Sequence, residues 1–440
     1  MKKAPISKKI YTASLCFLLI YSFGISILMS RYWDTPFFSV AFPMFLSAFA
    51  CSAYVAKYRK MTFIFLAILI YCGMSLVMLI EVKNSFIPLM GVDWKGFTQR
   101  AIDNLNSGKK GLALLLTNIT NDLFAKVISV IFQIFGIYPG TVHCFIFFFS
   151  QLTLSCFFNL SLVLFHDIKR AQVCTFALSI TPVYEIHSIA ILREIPIAFL
   201  FSLSLICFFR YLKEGNALAF LTAILWSAVS AIFHSAMIVV PLFYTASLLF
   251  YLRKRKRIVF NVGNSITVIL IFFLLFASPL GDLMMIKFSQ HDVLTTINNH
   301  ITPDATTAYI SEVPRSYSAM VLQTPYRFLL FELVPLPWHI RSIGTAISWV
   351  LDGTLRIFII IRITILSFKI KKLDLAIEQR VFLYICLAIW FGFGILCGWG
   401  TTTYGTAIRH RVKVLPIEWL LVMFSWRYSD EESLYQWNHE

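Results

Sequence analysis

A basic tract near the C-terminal end of the sequence contains the residues best suited to bind an anion. Arg409, His410 and Arg411 are consecutive. Lys413 follows them, directly before the apolar residues 414–426. Arginine suits a diphosphate because its planar, permanently charged guanidinium makes bidentate hydrogen bonds to phosphate oxygens. An extended backbone would place both arginines on one face, whereas a helix would separate them by about 200°. The alternative is an interfacial loop attracted to anionic lipid headgroups.

Residues 91–100 combine a carboxylate and a cation directly after the third apolar run of the sequence. Asp93 is a candidate general base, because a carboxylate near a membrane surface can take the proton of a hydroxyl if burial or neighbouring charges tune it. A solvated loop aspartate is the alternative interpretation of this residue. Arg100 is a further candidate ligand for an anion.

Two opposite charges, Arg193 and Glu194, are adjacent between two apolar runs. Charges beside hydrocarbon are costly unless they are paired or hydrated, and they therefore often mark functional sites. Both residues are therefore candidates for a functional site. The alternative is that Arg193 extends to the lipid headgroups while Glu194 caps the helix that begins near Pro196.

Two further polar groups stand within apolar stretches, and both have structural alternatives. His234 lies at a predicted turn between two apolar helices. It can donate a hydrogen bond to a phosphate or a hydroxyl, although a lone histidine in such a context is more often structural. Arg356 follows Asp352 by four residues inside an apolar run. This spacing predicts an ion pair on one helix face.

The composition indicates a polytopic membrane protein. Of the 440 residues, 58% are hydrophobic and only 14% are charged, which excludes a soluble enzyme with several water-facing domains. The net charge of +16 comes from short basic clusters between apolar runs, not from a nucleic-acid-binding module. The nine cysteines fall in or beside apolar runs without metal-ligand spacing. We therefore expect no metal, no other cofactor and no nucleic-acid partner.

Apolar runs of spanning length predict an all-α bundle of about twelve transmembrane helices in a single membrane-embedded domain, residues 1–440. The alternation of basic clusters places both termini in the cytoplasm. Two segments, at about 82–140 and 279–341, are predicted to be external loops carrying interfacial helices, and the interrupted apolar stretch 112–135 is assigned to the first of them. The predicted spans are residues 10–29, 36–56, 61–81, 141–165, 171–187, 195–212, 217–233, 235–252, 258–278, 342–366, 380–398 and 413–427.

Four short motifs follow one another along the chain. They are residues 91–93 (Gly-Val-Asp), 191–198 (Ile-Leu-Arg-Glu-Ile-Pro-Ile-Ala), 231–238 (Ala-Ile-Phe-His-Ser-Ala-Met-Ile) and 404–416 (Tyr-Gly-Thr-Ala-Ile-Arg-His-Arg-Val-Lys-Val-Leu-Pro). A fifth, weaker one is 335–338 (Pro-Leu-Pro-Trp). Their order and topology resemble the Wzy/EpsG type of bacterial polysaccharide polymerases, relatives of the GT-C membrane glycosyltransferases. The resemblance covers roughly residues 80–420.

The resemblance implies a GT-C-like fold and a multi-pass enzyme of the bacterial plasma (inner) membrane. Such an enzyme joins undecaprenyl-diphosphate-linked oligosaccharide repeat units on the outer face, as in O-antigen or capsule synthesis. The implied catalytic residues are Asp93, Glu194 and His234, with the base open between the two carboxylates. The implied diphosphate-binding residues are Arg100, Arg193, Arg409, His410 and Arg411.

Two alternatives to a polymerase stay open at this point. One is a GT-C glycosyltransferase that uses a polyprenyl-phosphate sugar to decorate a glycan. The other is a transporter or flippase of lipid-linked oligosaccharide, which would favour internally duplicated halves that the sequence does not show. The expected partners are lipid-linked oligosaccharides and the lipid bilayer, and a chain-length regulator is open as a further one.

Overall fold

The computed structural model describes most of the chain in several segments. These are residues 8–58, 60–84, 93–108, 110–117, 122–252, 257–258, 263, 266, 270, 308–310, 314, 316–340, 346–347 and 349–437. Most of the predicted span 258–278 and most of the predicted external loop 279–341 lie outside the described residues.

Contacts between helices divide the chain into two compact units, Met1–Ser202 and Leu203–Glu440. The boundary falls inside one helix, Glu194–Glu214. The single membrane-embedded domain of residues 1–440 stays a prediction.

The described part of the N-terminal unit is helical. Its helices are α1 Lys8–Trp33, α2 Phe37–Val55, α3 Met61–Asn84, α4 Asp93–Asn106, α5 Gly111–Leu116, α6 Leu123–Phe135, α7 Pro139–Phe165, α8 Ile168–Ser179, α9 Pro182–Ser188 and α10 Glu194–Glu214. α2 packs against both α1 and α7, and α4 packs against α6. Residues of the predicted interfacial stretch 112–135 form the two helices α5 and α6 rather than one of spanning length.

The predicted span 171–187 is interrupted in the structure by a break between α8 and α9. Helix α8 ends at Ser179, and Pro182 occupies the first turn of α9. Proline has no backbone N–H to continue the hydrogen-bond ladder of α8, but it fits the first turn of a new helix. The apolar residues of this stretch therefore form two short helices instead of one span.

The C-terminal unit is also helical in its described part. Its helices are α11 Ala217–Phe233, α12 Val239–Phe250, α13 Tyr317–Leu333, α14 Thr354–Lys369, α15 Ile377–Gly400, α16 Tyr404–Arg411 and α17 Leu415–Trp437. A short antiparallel pair, Tyr251–Leu252 with Arg257–Ile258, follows α12. The 3₁₀ segments are Ser235–Ile238, Pro337–His339, Ile370–Lys372 and Val412–Val414, and a π-helical turn, Trp349–Gly353, leads into α14.

Among the described residues, six helices are long and apolar enough to cross a membrane. Helices of this number and composition indicate a membrane protein. Each coincides with one of the predicted spans, whereas the count of twelve spans is not confirmed. The six are Thr12–Trp33, Phe37–Val55, Met61–Val82, Pro139–Phe165, Glu194–Glu214 and Ile377–Gly400.

Close packing of α13 against α15 depends on two glycines of α15 that are four residues apart. A Cβ atom at Gly394 would approach the ring of Phe328 to 2.5 Å, and one at Gly398 would approach the backbone oxygen of Arg327 to 3.0 Å. Glycines at this spacing let two helix backbones come close together. A Cβ at Gly394 would also lie 3.1 Å from a carboxylate oxygen of Glu332, so α15 forms a wall beside that side chain.

Candidate functional site

The N-terminal unit brings two of the predicted diphosphate ligands to one aromatic ring. The guanidinium carbon of Arg100 lies 4.8 Å from the ring centre of Phe97, and that of Arg193 lies 6.0 Å from the same centre. Cations within about 6 Å of an aromatic face are attracted by the ring quadrupole. Phe97 is buried and packs edge-on against Phe124 of α6. The buried ring is therefore a contact that the two arginines share, and we call Phe97, Arg100 and Arg193 the Phe97 site.

Helix α4 carries the first of these arginines at the surface. Arg100 follows Phe97 by three residues, a spacing that places both on one helix face. Its guanidinium also forms an ion pair with Asp122, which precedes α6. The Arg100 side chain is 51% exposed, so this pair contributes little to stability and leaves much of the side chain open to solvent.

The two predicted carboxylate bases lie at the beginnings of helices in this unit. Asp93 is the first residue of α4, and its side chain lies outside the described part of the structure. Glu194 is the first residue of α10 and is 1% exposed. A negative charge in the first turn of a helix is stabilised by the helix dipole, so Glu194 has the position that the structural alternative expects.

A residue that sequence reasoning missed lies beside the Phe97 site. His143 of α7 is buried, and its Nδ1 atom faces the backbone oxygen of Ile189. Trp94 of α4 packs edge-on against the imidazole, with 5.9 Å between ring centres. In the sequence, His143 is only a polar side chain in the first turns of a predicted span. Such a residue indicates a functional site less clearly than a formally charged one such as Arg193.

In the C-terminal unit, the predicted catalytic His234 meets the predicted ligand His410. Their Nε2 atoms are 3.3 Å apart and their rings cross at 73°. His234 follows the last turn of α11 in an extended conformation, and His410 lies in the last turn of α16. One imidazole must donate this hydrogen bond and the other must accept it, so at least one of the two rings is neutral.

The backbone of the basic tract separates its two arginines. Residues of the tract are helical in α16, Tyr404–Arg411, rather than extended. Side chains two residues apart in a helix point to different sides. Arg409 is accordingly half-buried, whereas Arg411 is completely buried in another environment.

That environment is a group of five buried charged residues that we call the ionic cluster. Every side chain in it is at most 3% exposed. Arg411 Nη2 is 2.6 Å from Asp352 Oδ2, and Arg356 Nη1 is 2.7 Å from Glu418 Oε1. Longer contacts join Arg356 to Glu332 at 3.6 Å and to Asp352 at 3.7 Å. The predicted Asp352–Arg356 pair is therefore present as one part of a larger network.

Arg411 also closes the C-terminal end of α13. Its Nη1 donates to the backbone oxygens of Phe331 and Glu332 at 2.9 and 2.8 Å, and its Nη2 donates to that of Val334 at 2.6 Å. The last carbonyl groups of a helix have no partner within the helix, and a cation there is favoured by the helix dipole. In this arrangement the guanidinium binds the protein's own oxygens, which differs from the predicted contact of Arg411 with a diphosphate.

The ionic cluster contains three carboxyl groups but only two guanidinium groups. Burial, and next the neighbouring Glu418 charge, raise the pKa of Glu332 to about 8. Glu332 therefore holds a proton at neutral pH, which leaves two cations opposite the Asp352 and Glu418 carboxylates. Trp390 Nε1 donates a further hydrogen bond of 3.2 Å to Glu418 Oε1.

The protonated Glu332 predicts a pH dependence of stability. The folded protein holds this proton up to a pH of about 8, whereas an unfolded chain releases it near a pH of about 4.3. The free energy of unfolding should thus fall as the pH rises through this window, by at most about 1.4 kcal/mol per pH unit. Glu332→Gln, which stays neutral, should flatten this dependence in thermal unfolding of the detergent-purified protein between pH 5 and 8.

Glu214 provides a control for this measurement. It lies at the end of α10, where its half-exposed side chain faces Arg210 at 3.6 Å. Glu214→Gln should leave the pH dependence as in the wild type. An equally steep dependence in the Glu332→Gln variant would show that another group holds the proton.

No known protein family, curated protein or solved structure matches this chain. The resemblance to polysaccharide polymerases accordingly stays a prediction from short motifs.

Proposed function

We propose that the protein is a multi-pass glycosyltransferase of the bacterial plasma membrane that joins undecaprenyl-diphosphate-linked repeat units on the outer face. The observation that supports this most is the Phe97 site, where Arg100 and Arg193 both contact one ring. Two guanidinium groups held this way suit a diphosphate, which carries several anionic oxygens and leaves as an anion during transfer. The apolar helices beside it suit a substrate carried on a polyprenyl chain.

In this proposal the residues of the Phe97 site stabilise the leaving group. Arg193 and Arg100 neutralise the negative charge that develops on the diphosphate as the bond to the sugar breaks. The order of the motifs adds Asp93 and Glu194 as candidate bases for the acceptor hydroxyl. The fold stays a GT-C-like bundle of about twelve spans with both termini in the cytoplasm, again as a proposal.

The C-terminal unit supplies the second part of the proposal. The pair of His234 and His410 can exchange a proton with a sugar hydroxyl or a phosphate oxygen. We assign Arg409, which is half-buried, to the substrate as a cation of the basic tract. Arg411 takes a different role from the one expected, because it holds α16 and therefore His410 in place through the ionic cluster.

Deletion of the gene tests the proposal directly. Without the protein, surface polysaccharide should carry single repeat units, and plasmid-borne wild-type protein should restore the ladder of longer chains on a gel. A ladder of normal length in the deletion strain would contradict polymerase activity. A ladder of normal length in which every band has shifted would instead indicate a transferase that decorates the glycan.

A second candidate function, transport of lipid-linked oligosaccharide, draws support from the ionic cluster. Ionisable side chains buried next to an irregular turn of a helix are frequent in transporters. Here the π-helical turn Trp349–Gly353 leads into α14, and Arg356 lies in the first turn of that helix. Accumulation of lipid-linked repeat units on the cytoplasmic leaflet of the deletion strain would favour transport. Accumulation on the outer leaflet would favour the polymerase.

A further inference from the structure

The two ring nitrogens of His143 have different surroundings. Nδ1 faces the backbone oxygen of Ile189, which can only accept a hydrogen bond. Nδ1 must therefore carry the hydrogen, and in the neutral ring Nε2 keeps its lone pair. Nε2 is buried and has no hydrogen-bond partner among the described residues. The protein thus holds a nitrogen with a free lone pair in a fixed orientation.

Such a nitrogen is costly for a purely structural residue. A buried polar atom without a hydrogen bond loses its interaction with water and gains nothing in return. The imidazole is only 2% exposed, so water in bulk does not compensate the loss. A buried polar atom without a partner in a native protein needs an explanation. One explanation is a ligand that supplies the missing hydrogen-bond donor.

The position of His143 links this nitrogen to the Phe97 site. Trp94, which covers the imidazole, and Phe97 are three residues apart on α4 and lie on the same helix face. Ile189, which orients the imidazole, precedes Arg193 by four residues in the connection to α10. Helix α4 and the connection to α10 therefore contact the imidazole, and they also carry the two guanidinium groups.

We propose that His143 is the general base of the transfer reaction, with Nε2 taking the proton from the acceptor hydroxyl. This inference rests on the proposed function. As the hydroxyl oxygen forms its bond to the anomeric carbon of the donor sugar, its proton moves to Nε2. The bond from that carbon to the diphosphate oxygen breaks, and its electron pair leaves with the diphosphate. The imidazolium then returns its proton to water.

The proposed role places the base and the leaving-group ligands in one unit of the protein. A neutral imidazole whose second nitrogen donates to a fixed carbonyl is the form that a general base requires. Glu194, by contrast, lies in the first turn of α10, where the helix dipole stabilises its negative charge. This position gives Glu194 a structural role. His143 thus takes the function that the sequence left open between Asp93 and Glu194.

His143→Asn separates the basic nitrogen from the structural contact. The amide nitrogen of asparagine reaches about the place of Nδ1 and can donate to the Ile189 oxygen, but the side chain has no basic nitrogen. In detergent, the purified variant should keep the wild-type melting temperature. Its rate of transfer between purified lipid-linked repeat units should fall by roughly 10²- to 10⁴-fold, the usual contribution of a general base.

His166→Asn is the matched control on the same helix. His166 is exposed after the last turn of α7 and has a φ of 50°, a conformation that asparagine adopts readily. This variant should keep the wild-type rate. If His143→Asn melts at a lower temperature, His143→Gln, whose amide reaches the Nε2 position without being basic, replaces it in the comparison.

The outcomes separate this inference from the proposed function. Transfer at the wild-type rate by a folded His143→Asn or His143→Gln variant overturns the role of His143, whatever the reaction. Failure of the wild-type protein to restore long chains in the deletion strain, or to transfer repeat units in vitro, overturns the proposed function and with it the base. Restoration by the wild type and by His166→Asn, but not by His143→Asn, supports both.

Discussion

Replacing Arg411 by alanine is expected to lower the free energy of unfolding by about 3–5 kcal/mol, because it breaks a buried ion pair from one side. The substitution removes the guanidinium that lies 2.6 Å from the Asp352 carboxylate and leaves this buried group only the longer contact of 3.7 Å to Arg356. It also removes the donors to three backbone oxygens at the end of α13. Thermal and denaturant unfolding of the detergent-purified protein measures the loss, and the amount of protein in the membrane should fall with it.

Two further variants distinguish the ionic cluster from a general effect of charge. Arg409→Ala removes a half-buried arginine two residues earlier in the same helix and should cost clearly less. Arg411→Met combined with Asp352→Leu removes both partners, and replacing a buried pair with apolar groups is often neutral or stabilising. Wild-type stability of Arg411→Ala would show that the cluster does not hold the C-terminal unit together.

This expectation also governs how loss of activity at Arg411 is interpreted. If the variant unfolds, short polysaccharide chains follow from missing protein and not from a missing ligand for the diphosphate. Arg411→Lys is informative here, since it keeps the charge but lacks the planar fork that serves several oxygens at once. An Arg411→Lys variant that loses stability and long chains together would favour the structural role.

Replacing Arg193 by alanine is expected to reduce the transfer rate by roughly 10²- to 10³-fold, the usual effect of removing one donor to a developing anion. The reason is its place beside Phe97, where it and Arg100 can face the same leaving diphosphate. In cells the ladder of long chains should collapse towards single repeat units. In vitro the rate is measured with purified lipid-linked repeat units.

Arg210 supplies the control for this substitution. It lies near the other end of α10, is 60% exposed and pairs with Glu214. Arg210→Ala should keep both the melting temperature and the transfer rate, and Arg193→Ala should keep the melting temperature. A wild-type rate in a folded Arg193→Ala variant would remove the main support for a diphosphate ligand at the Phe97 site.

Much of the helical architecture could be predicted because its causes are local. A run of about twenty apolar residues forms a helix that can cross a bilayer, whatever surrounds it, and six predicted spans coincide with such helices. The contact between Asp352 and Arg356 was predictable for the same reason, since residues four apart share a helix face. Hydropathy alone was not sufficient near Pro182. It predicted one span, residues 171–187, where the structure has the two short helices α8 and α9.

The candidate site could be predicted only in part. Sequence reasoning selected Arg100 and Arg193 separately, and the structure places both at Phe97. It selected His234 and His410, which are 176 residues apart, without any indication that they touch. His143 drew no attention, because its significance depends on the backbone oxygen it faces and not on its neighbours in sequence.

The sequence by itself determined that the described part of the protein is mainly helical, that several helices have membrane-spanning length, and which residues carry the charges. Only the tertiary structure decided what those charges do. Arg411 is a ligand candidate by residue type, yet its partners lie 59 to 80 residues away along the chain. A buried guanidinium must satisfy its donors with whatever oxygens the packed helices present. Helix packing therefore assigns Arg411 to the end of α13 and leaves Arg193 beside Phe97.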